Sequence, residues 1–477
     1  MAHIRLIAAS CLGAQECIDL LPNKTTTIPV VKRGWAQQPT SRGSIDIIWT
    51  CGFTLFLCSW STLCLQIPGR DDPALEVWWR KLWLTVTSLI APEISFCAAF
   101  NQFIWARRCV QEFYASGFSE WTLTHAYYAD QGGFLLHTPD YPPVPLDGLQ
   151  LHYLVVKGYV PMPKISRKII MDRNKVDGVL RLITQWQTLW FLGNMIVRVV
   201  DDLHITSLEL RTVAFITCSA SSALFWWHKP ADVTYAEVIH CDTPMHVIVG
   251  DAENVRKDGF YRYSPLEFIS YEEWAWSKIW HHWINILRRM GLNLISKTPI
   301  NRRHNTNLYA TTTTELMFMF VVGAAYISIF FLFWHHDFPT RIELWLWRFA
   351  AVDTVVLLFL CVIVDKFGFD LWPAWRERLL ASDRYCRFRG RLRLSESQSS
   401  TTVRKKLDRL MRACRNNSAS QHPSLDVPLK VNIPMYFMAF FYGLARVIIA
   451  AVDIAELRLL PESAYKEARV TSIFPHL

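Results

Sequence analysis

The chain has 477 residues and a net charge of +9, and 51% of its residues are hydrophobic. This apolar content, together with 21 Trp, argues against an ordinary soluble domain, because Trp collects at bilayer interfaces. The positive charge is concentrated in loops, which favours the positive-inside bias of membrane proteins over nucleic-acid binding.

The N-terminal segment, residues 1–44, has a weak signal-peptide pattern. Arg5 precedes a short apolar run with small residues, as in secretory signals. If residues 1–14 are cleaved, the mature N-terminus lies outside, and the sequon at Asn23, which is then retained, becomes available for glycosylation. This N-out orientation is slightly favoured over the N-in alternative.

Six segments are apolar over most of the roughly 20 residues that a helix needs to cross a bilayer. Five are strongly apolar, and one is weakened by two Gln and an Arg. The pattern predicts an all-α fold, a polytopic membrane bundle of about six to seven spans with long cytoplasmic loops. The segments are Ile45–Leu65, Leu182–Val199 (the weakened one), Leu210–Trp227, Glu315–Trp334, Leu344–Val364 and Val431–Val452.

The segment Leu82–Ile104 is also apolar but contains Pro92, Glu93 and Asn101. It is expected to be a kinked second span, which requires the N-in orientation, or a re-entrant or interfacial helix, which requires N-out. Residues 45–104 therefore hold the first span plus this ambiguous segment.

Basic residues identify the expected cytoplasmic loops. Residues 366–430 contain 15 Lys and Arg against 6 Asp and Glu, so this loop alone has the net charge of the whole chain. By the positive-inside bias it is cytoplasmic, and alternation places the basic loops 105–181 and 229–314 on the same side. Helical hairpins at 182–228 and 315–365 separate these loops, and residues 431–477 form the last span and a C-terminal tail.

Six short phrases occur in order along almost the whole chain. They are Arg42–Trp49, Ala91–Glu93, Gly132–Phe134, Leu208–Leu210, Trp226–Val233 and Phe474–Leu477. Together they resemble a large family of multi-pass membrane proteins of filamentous fungi that has no established activity as a whole. The resemblance implies an accessory role in specialised-metabolite pathways, where small membrane proteins can be cyclases or isomerases. The stretch Thr124–Tyr128 departs from the family pattern, in which Gly-Phe-Phe follows the His.

Three residues are the candidates for acid/base catalysis. His125 and Asp130 lie in a loop rich in polar and aromatic residues, and a His near a carboxylate is the usual general acid/base pair. His228 lies at the cytoplasmic end of a span and could donate a proton into a pocket. The structural alternative is that His125 and Asp130 cap helices while Lys229 snorkels to lipid headgroups and Pro230 ends the helix.

Ionisable residues inside the apolar segments are expected to face the bundle interior and to pair. Asp353, Arg446 and Asp453 are the intramembrane polar residues of interest. We predict an ion pair between Asp353 and Arg446, with a proton or substrate site as the alternative.

No metal ion or cofactor is expected. The 12 Cys show no spacing suited to zinc, and no phosphate-binding loop or haem motif occurs. Two short links, one with Asp201, Asp202 and His204 and one with His335, His336 and Asp337, could hold a divalent cation if they met. Nothing in the sequence brings the two links together.

Two classes of function are left open. One is a membrane enzyme or accessory factor that cyclises or isomerises a lipid-soluble intermediate in a fungal specialised pathway. The other is a transporter-like carrier or a scaffold. The expected partners are membrane lipids and a lipophilic small molecule or pathway enzymes, without nucleic acid, in an endomembrane or the plasma membrane.

Overall fold

The computed structural model describes residues 32–35, 42–173, 178–252, 263–270, 282–286, 300–304, 312–371 and 429–467, with single residues and short pieces between them. Asn23, most of the basic loop 366–430 and the terminal phrase lie outside the described residues. The helices and strands, in chain order, are β1 (Lys32–Arg33), α1 (Ser44–Thr62), α2 (Ala74–Ile90), α3 (Pro92–Ala115), α4 (Leu123–Asp130), β2 (Phe134–Thr138), β3 (Tyr141–Pro145), α5 (Gly148–Val156), α6 (Arg167–Asp172), α7 (Gly178–Val200), α8 (Ser207–Phe225), β4 (Glu237–His240), α9 (Met245–Gly250), α10 (Glu267–Ser270), α11 (Thr313–Phe331), α12 (Arg341–Asp365), α13 (Leu429–Glu456) and β5 (Leu460–Pro461).

Five of the described helices are long and apolar enough to cross a membrane, namely α1, α8, α11, α12 and α13. Each coincides with a segment expected from the sequence. Three of them begin with a capping box, in which a Thr and the Glu three residues later satisfy each other's backbone N–H groups. These boxes are Thr206 with Glu209, Thr312 with Glu315, and Thr340 with Glu343.

The weakened segment forms α7, whose 23 residues also extend from one end of the bundle to the other. Its polar residues face protein: Gln187 donates to the Thr54 hydroxyl of α1 at 3.0 Å. Near its end, Arg198 is fully buried and donates to the backbone carbonyls of Ala464 and Lys466, at 3.1 and 3.0 Å. The polar groups that weaken the apolar pattern are therefore satisfied by neighbouring segments.

The ambiguous segment is broken at Ala91, where α2 and α3 meet at an angle of 112°. Pro92 occupies the first turn of α3, which its fixed φ suits, and so starts a new helix there. Both ends of the α2–α3 pair lie at the same end of the bundle. Before α2, Asp72 binds Arg302 at 2.6 Å, and late in α3, Phe113 is buried with the loop residues. This arrangement matches the re-entrant alternative.

The loops on either side of the α7–α8 hairpin fold together around one core, which we call the loop domain (63–73, 110–173, 229–252, 263–270 and 300–304). Its sheet has the order β3-β2-β4, with β2 antiparallel to β3 and parallel to β4. Leu136 of β2 pairs with Ile239 of β4 and with Val144 of β3. The fold is therefore mostly helical with a small sheet, and the all-α expectation is wrong in this respect.

The opposite end of the bundle, which we call the distal end, holds two short links and the described segments that flank α1 and α13. There β1 pairs antiparallel with β5, Lys32 opposite Pro461, just after α13. The links after α7 and after α11 meet the end of α13 at the same place. Residues 32–35 before α1 and 457–467 after α13 thus lie at one end, and the loop domain lies at the other.

Candidate functional site

A small polar cavity lies where the helical bundle meets the loop domain. It admits water-sized molecules and is lined by polar and charged side chains from segments that are distant in sequence. The lining residues are Gln66, Gln102, Tyr127, Asp130, Gln131, Lys229 and Arg303.

Lys229 is the central cation of the cavity. It follows α8 by one turn, is 2% exposed, and its Nζ donates to the Gln102 Oε1 at 2.8 Å and to the Cys64 carbonyl at 3.0 Å. The expected snorkelling to headgroups is therefore wrong, because these two acceptors hold the ammonium group inside the protein. Burial lowers the pKa of Lys229 to about 8, and the charges of Cys64 and Asp130 oppose that effect.

Asp130, the last residue of α4, supplies the acidic group. Its Oδ1 accepts a hydrogen bond from the Gly148 backbone N–H at 3.0 Å, at the start of α5. Burial and the charge of Asp147 raise the pKa of Asp130 to about 7, while Arg303 and Lys229 lower it. The carboxyl and the Lys229 ammonium are therefore both displaced toward neutral pH.

Two further side chains shape the cavity with neutral polar groups. The Gln131 amide nitrogen donates to the carbonyls of Leu65 and Pro230, at 2.9 and 3.0 Å. Its buried Oε1 has no hydrogen-bond partner among the described residues. The Tyr127 hydroxyl donates to the Phe225 carbonyl at 2.7 Å, so it ties α4 to the end of α8. A buried acceptor next to a titrating acid and amine suits the binding and protonation of a small polar group.

His125 holds two pieces of backbone together. Its Nδ1 accepts from the Thr122 backbone N–H at 3.1 Å, and its Nε2–H donates to the Ile165 carbonyl at 2.9 Å. Burial lowers the pKa of His125, which keeps the ring neutral near pH 7. The geometry gives this residue a capping role at the start of α4, and it does not line the cavity.

His228 lies in the turn after α8 and is partly exposed. It neighbours Lys229 in sequence but is absent from the cavity wall. The structure therefore does not bring His125 and His228 into one pocket. Of the three candidates, Asp130 is the one that meets a second titrating group.

The intramembrane charges pair differently from the expectation. Arg446 of α13 binds Glu93 of α3 at 2.8 Å and the Tyr326 hydroxyl of α11 at 2.8 Å. Asp353 is partly exposed on α12, so the predicted Asp353–Arg446 pair is wrong. Asp453 is buried and pairs with Arg211 of α8 at 3.3 Å.

The residues missed from the sequence are Lys229 as a buried group and the three Gln side chains around it. One signal was available. Gln66, Gln102 and Lys229 are polar residues beside or within apolar segments. Such residues usually form polar contacts with one another. Their meeting point depends on the re-entrant path of α2–α3, which brings Gln102 to the end of α8.

These features are those of a multi-pass membrane protein with five candidate spans, a sharply bent helix pair that would be a sixth span if it crosses, and a loop domain packed around one core. Residues 17–249 match the model of a family described as a family of unknown function (DUF8562). No curated protein and no solved structure shows a significant match. The family match covers the stretch from before α1 to α9, which contributes every cavity residue except Arg303. The description of the matched family assigns it no activity.

Proposed function

We propose that this protein is a membrane-embedded acid/base enzyme that acts on a lipid-soluble molecule, by isomerisation or cyclisation, at the Asp130–Lys229 cavity. The observation that supports it is the presence of two buried ionisable groups in one cavity, with pKa values of about 7 and about 8. Groups with strongly displaced pKa values cluster at functional sites, because proton transfer is most efficient near the working pH.

In this proposal Asp130 exchanges a proton with the substrate, and Lys229 stabilises negative charge that develops on it. Both groups are held by backbone and amide contacts, so they are oriented before the substrate arrives. The cavity admits water-sized molecules in the conformation described, so a larger substrate requires its lining side chains to move apart.

A place in a specialised-metabolite pathway of a filamentous fungus is part of this proposal and rests on the resemblance of the sequence phrases. The competing function is a carrier or scaffold, and one observation favours it. The charged groups of the cavity already contact protein, as Lys229 does with two acceptors, so they also serve to attach the loop domain to the bundle.

The experiment is metabolite profiling of a deletion strain complemented with variants. Asp130→Asn keeps an acceptor for the Gly148 N–H but cannot titrate, and Lys229→Met keeps most of the side-chain length without the charge. Each is expected to lose product and to accumulate the upstream intermediate while the protein stays in the membrane at normal amount.

Two matched substitutions outside the cavity serve as controls. Asp140→Asn changes another capping carboxylate, which accepts from the Met245 backbone N–H, and Lys157→Met removes an exposed lysine. Both should leave product unchanged. Full product from Asp130→Asn and from Lys229→Met would overturn the enzymatic proposal and favour a carrier or scaffold.

A further inference from the structure

The distal end of the bundle gathers two imidazoles and a carboxylate from three separate segments. His204 belongs to the link between α7 and α8, His336 to the link between α11 and α12, and Glu456 is the last residue of α13. Their donor atoms all lie within 4.8 Å of one another. We propose that these three side chains form a binding site for a divalent transition-metal cation such as zinc.

The distances suit such an ion. The His204 Nε2 lies 3.6 Å from the Glu456 Oε1, which is too long for a hydrogen bond. In tetrahedral zinc sites with bonds of about 2.0–2.2 Å, neighbouring donor atoms are about 3.4 Å apart. The His336 Nε2 is 2.6 Å from the same oxygen and hydrogen-bonded to it, so metal binding requires these two donor atoms to separate by about 0.8 Å.

The His204 imidazole offers a ring nitrogen that can bind a cation. Its Nε2 is buried and has no hydrogen-bond partner within the part of the chain that the structure describes. A buried ring nitrogen without a partner is costly in a protein interior. A cation between the three donors gives this nitrogen a partner and neutralises part of the charge of Glu456, which is 1% exposed.

The surroundings hold the three donors in place. The Glu456 Oε2 accepts the Ser207 backbone N–H at 2.9 Å, which directs Oε1 toward the two histidines. The His336 ring stacks on Phe333 with centroids 4.7 Å apart and meets the edge of Phe338. The Arg198 guanidinium donates to the His204 carbonyl and fixes that link. Such outer contacts orient metal ligands.

The donor set also defines the class of ion. Two imidazoles and one carboxylate suit zinc and other first-row transition cations, whereas magnesium and calcium prefer sites made of oxygen atoms. Three protein ligands leave a position open for water or for an external ligand. The bound ion would join both distal links to α13.

The test uses the full-length protein, purified in detergent with a tag that lacks histidine. After treatment with a chelator and its removal, ZnCl2 is titrated calorimetrically, and bound zinc is measured by mass spectrometry. One high-affinity zinc per chain is expected. CoCl2 in place of ZnCl2 should give the visible absorption of tetrahedral cobalt, and ZnCl2 should displace it.

Variants locate the site. His204→Ala leaves the His336–Glu456 hydrogen bond intact, so it should fold normally and bind zinc at least about 10-fold more weakly. Glu456→Gln should lose the cobalt absorption. His335→Ala changes an exposed histidine beside His336 and should bind zinc as the wild type does. Absence of stoichiometric zinc from folded wild-type protein, or equal affinity in His204→Ala, would overturn the proposal and leave only a hydrogen-bonded cluster.

Discussion

At the residue scale, the direction of a single side chain decides what the boundary between bundle and loop domain can do. Lys229 follows a span and a Trp pair, a context in which lysines usually reach headgroups. Here it points inward, because the Cys64 carbonyl and the Gln102 amide oxygen are within 3.0 Å of its Nζ. The cavity thereby gains a buried amine next to Asp130, and each titration should be visible in the stability of the protein.

The first prediction concerns Asp130. Its pKa rises from 3.8 in the unfolded chain to about 7 in the folded protein, so the folded state binds the proton more tightly. The stability from the protonated carboxyl is present below pH 4 and is lost as the pH rises through 7. Relative to Asp130→Asn, the wild type should lose several degrees of melting temperature between pH 5 and 8 in detergent. Parallel pH curves for the two proteins would contradict the assigned pKa.

The second prediction concerns Lys229, whose titration makes the protein more stable as the pH rises. The pKa of Lys229 falls from 10.5 to about 8 on folding, so the unfolded chain binds the proton more tightly. Burying the charged Lys229 therefore destabilises the folded protein below pH 8, and this destabilisation disappears as the pH rises toward 10.5. Relative to Lys229→Met, the wild type should therefore gain melting temperature between pH 8 and 10. The exposed Lys157→Met variant is the control and should follow the wild-type curve.

At the element scale, the α2–α3 pair shows how a polar residue in an apolar segment is accommodated. Pro92 starts a new helix after the break at Ala91, and Glu93 in its first turn meets Arg446 of α13. The pair is surrounded by tyrosine hydroxyls, since Tyr442 donates to Glu93 and Tyr326 accepts from Arg446. The re-entrant pair is thus attached to the last span by a buried polar network.

The third prediction tests that attachment. Arg446→Met leaves the Glu93 carboxylate without its cation in a buried place and should cost about 3–5 kcal/mol of stability. Adding Glu93→Gln removes the remaining charge, so the double variant should be more stable than Arg446→Met alone. Thermal unfolding in detergent measures both effects. A double variant no more stable than Arg446→Met would contradict the proposed ion pair.

At the scale of the whole molecule, the contacts show which described segments lie at each end of the helical bundle. Residues before α1 and after α13 pair as β1 and β5 at the distal end, while both ends of α2–α3 belong to the loop-domain end. Among the described residues, six helices connect the two ends, namely the five apolar helices and α7. If all six cross the membrane and the α2–α3 pair does not, the segments before α1 and after α13 lie on one side, as the N-out orientation predicts.

The fourth prediction follows from this arrangement. In sealed microsomes, an epitope tag inserted between residues 36 and 40 and a second tag after Leu477 should both be protected from protease. A tag near Ser400, in the basic loop, should be cleaved without detergent. N-out orientation also makes Asn23 available, so Asn23→Gln should remove a glycan. Opposite sides for the first two tags would mean that α2–α3 crosses the membrane.

The sequence alone predicted where the five strongly apolar helices and α7 lie, because apolar length and end signals are local properties. Ile45–Leu65 became α1 at Ser44–Thr62, and the segment with Pro92 and Glu93 broke near its expected place. The sequence also predicted that Arg446 pairs with a carboxylate, although not which one.

Only the tertiary structure decided which segments meet. The parallel pairing of β2 with β4 joins loops separated by two long helices, and it was not expected from two loops treated separately. Likewise, Arg446 forms its ion pair with Glu93 and not with Asp353. Lys229 donates to Gln102, and the His204 ring contacts the His336 ring. Each of these depends on how the helices pack side by side and on the re-entrant path of α2–α3. The length of an apolar segment predicts that a helix crosses the membrane, but it does not select which helices lie beside it. The partners of the polar side chains therefore depend on helix packing.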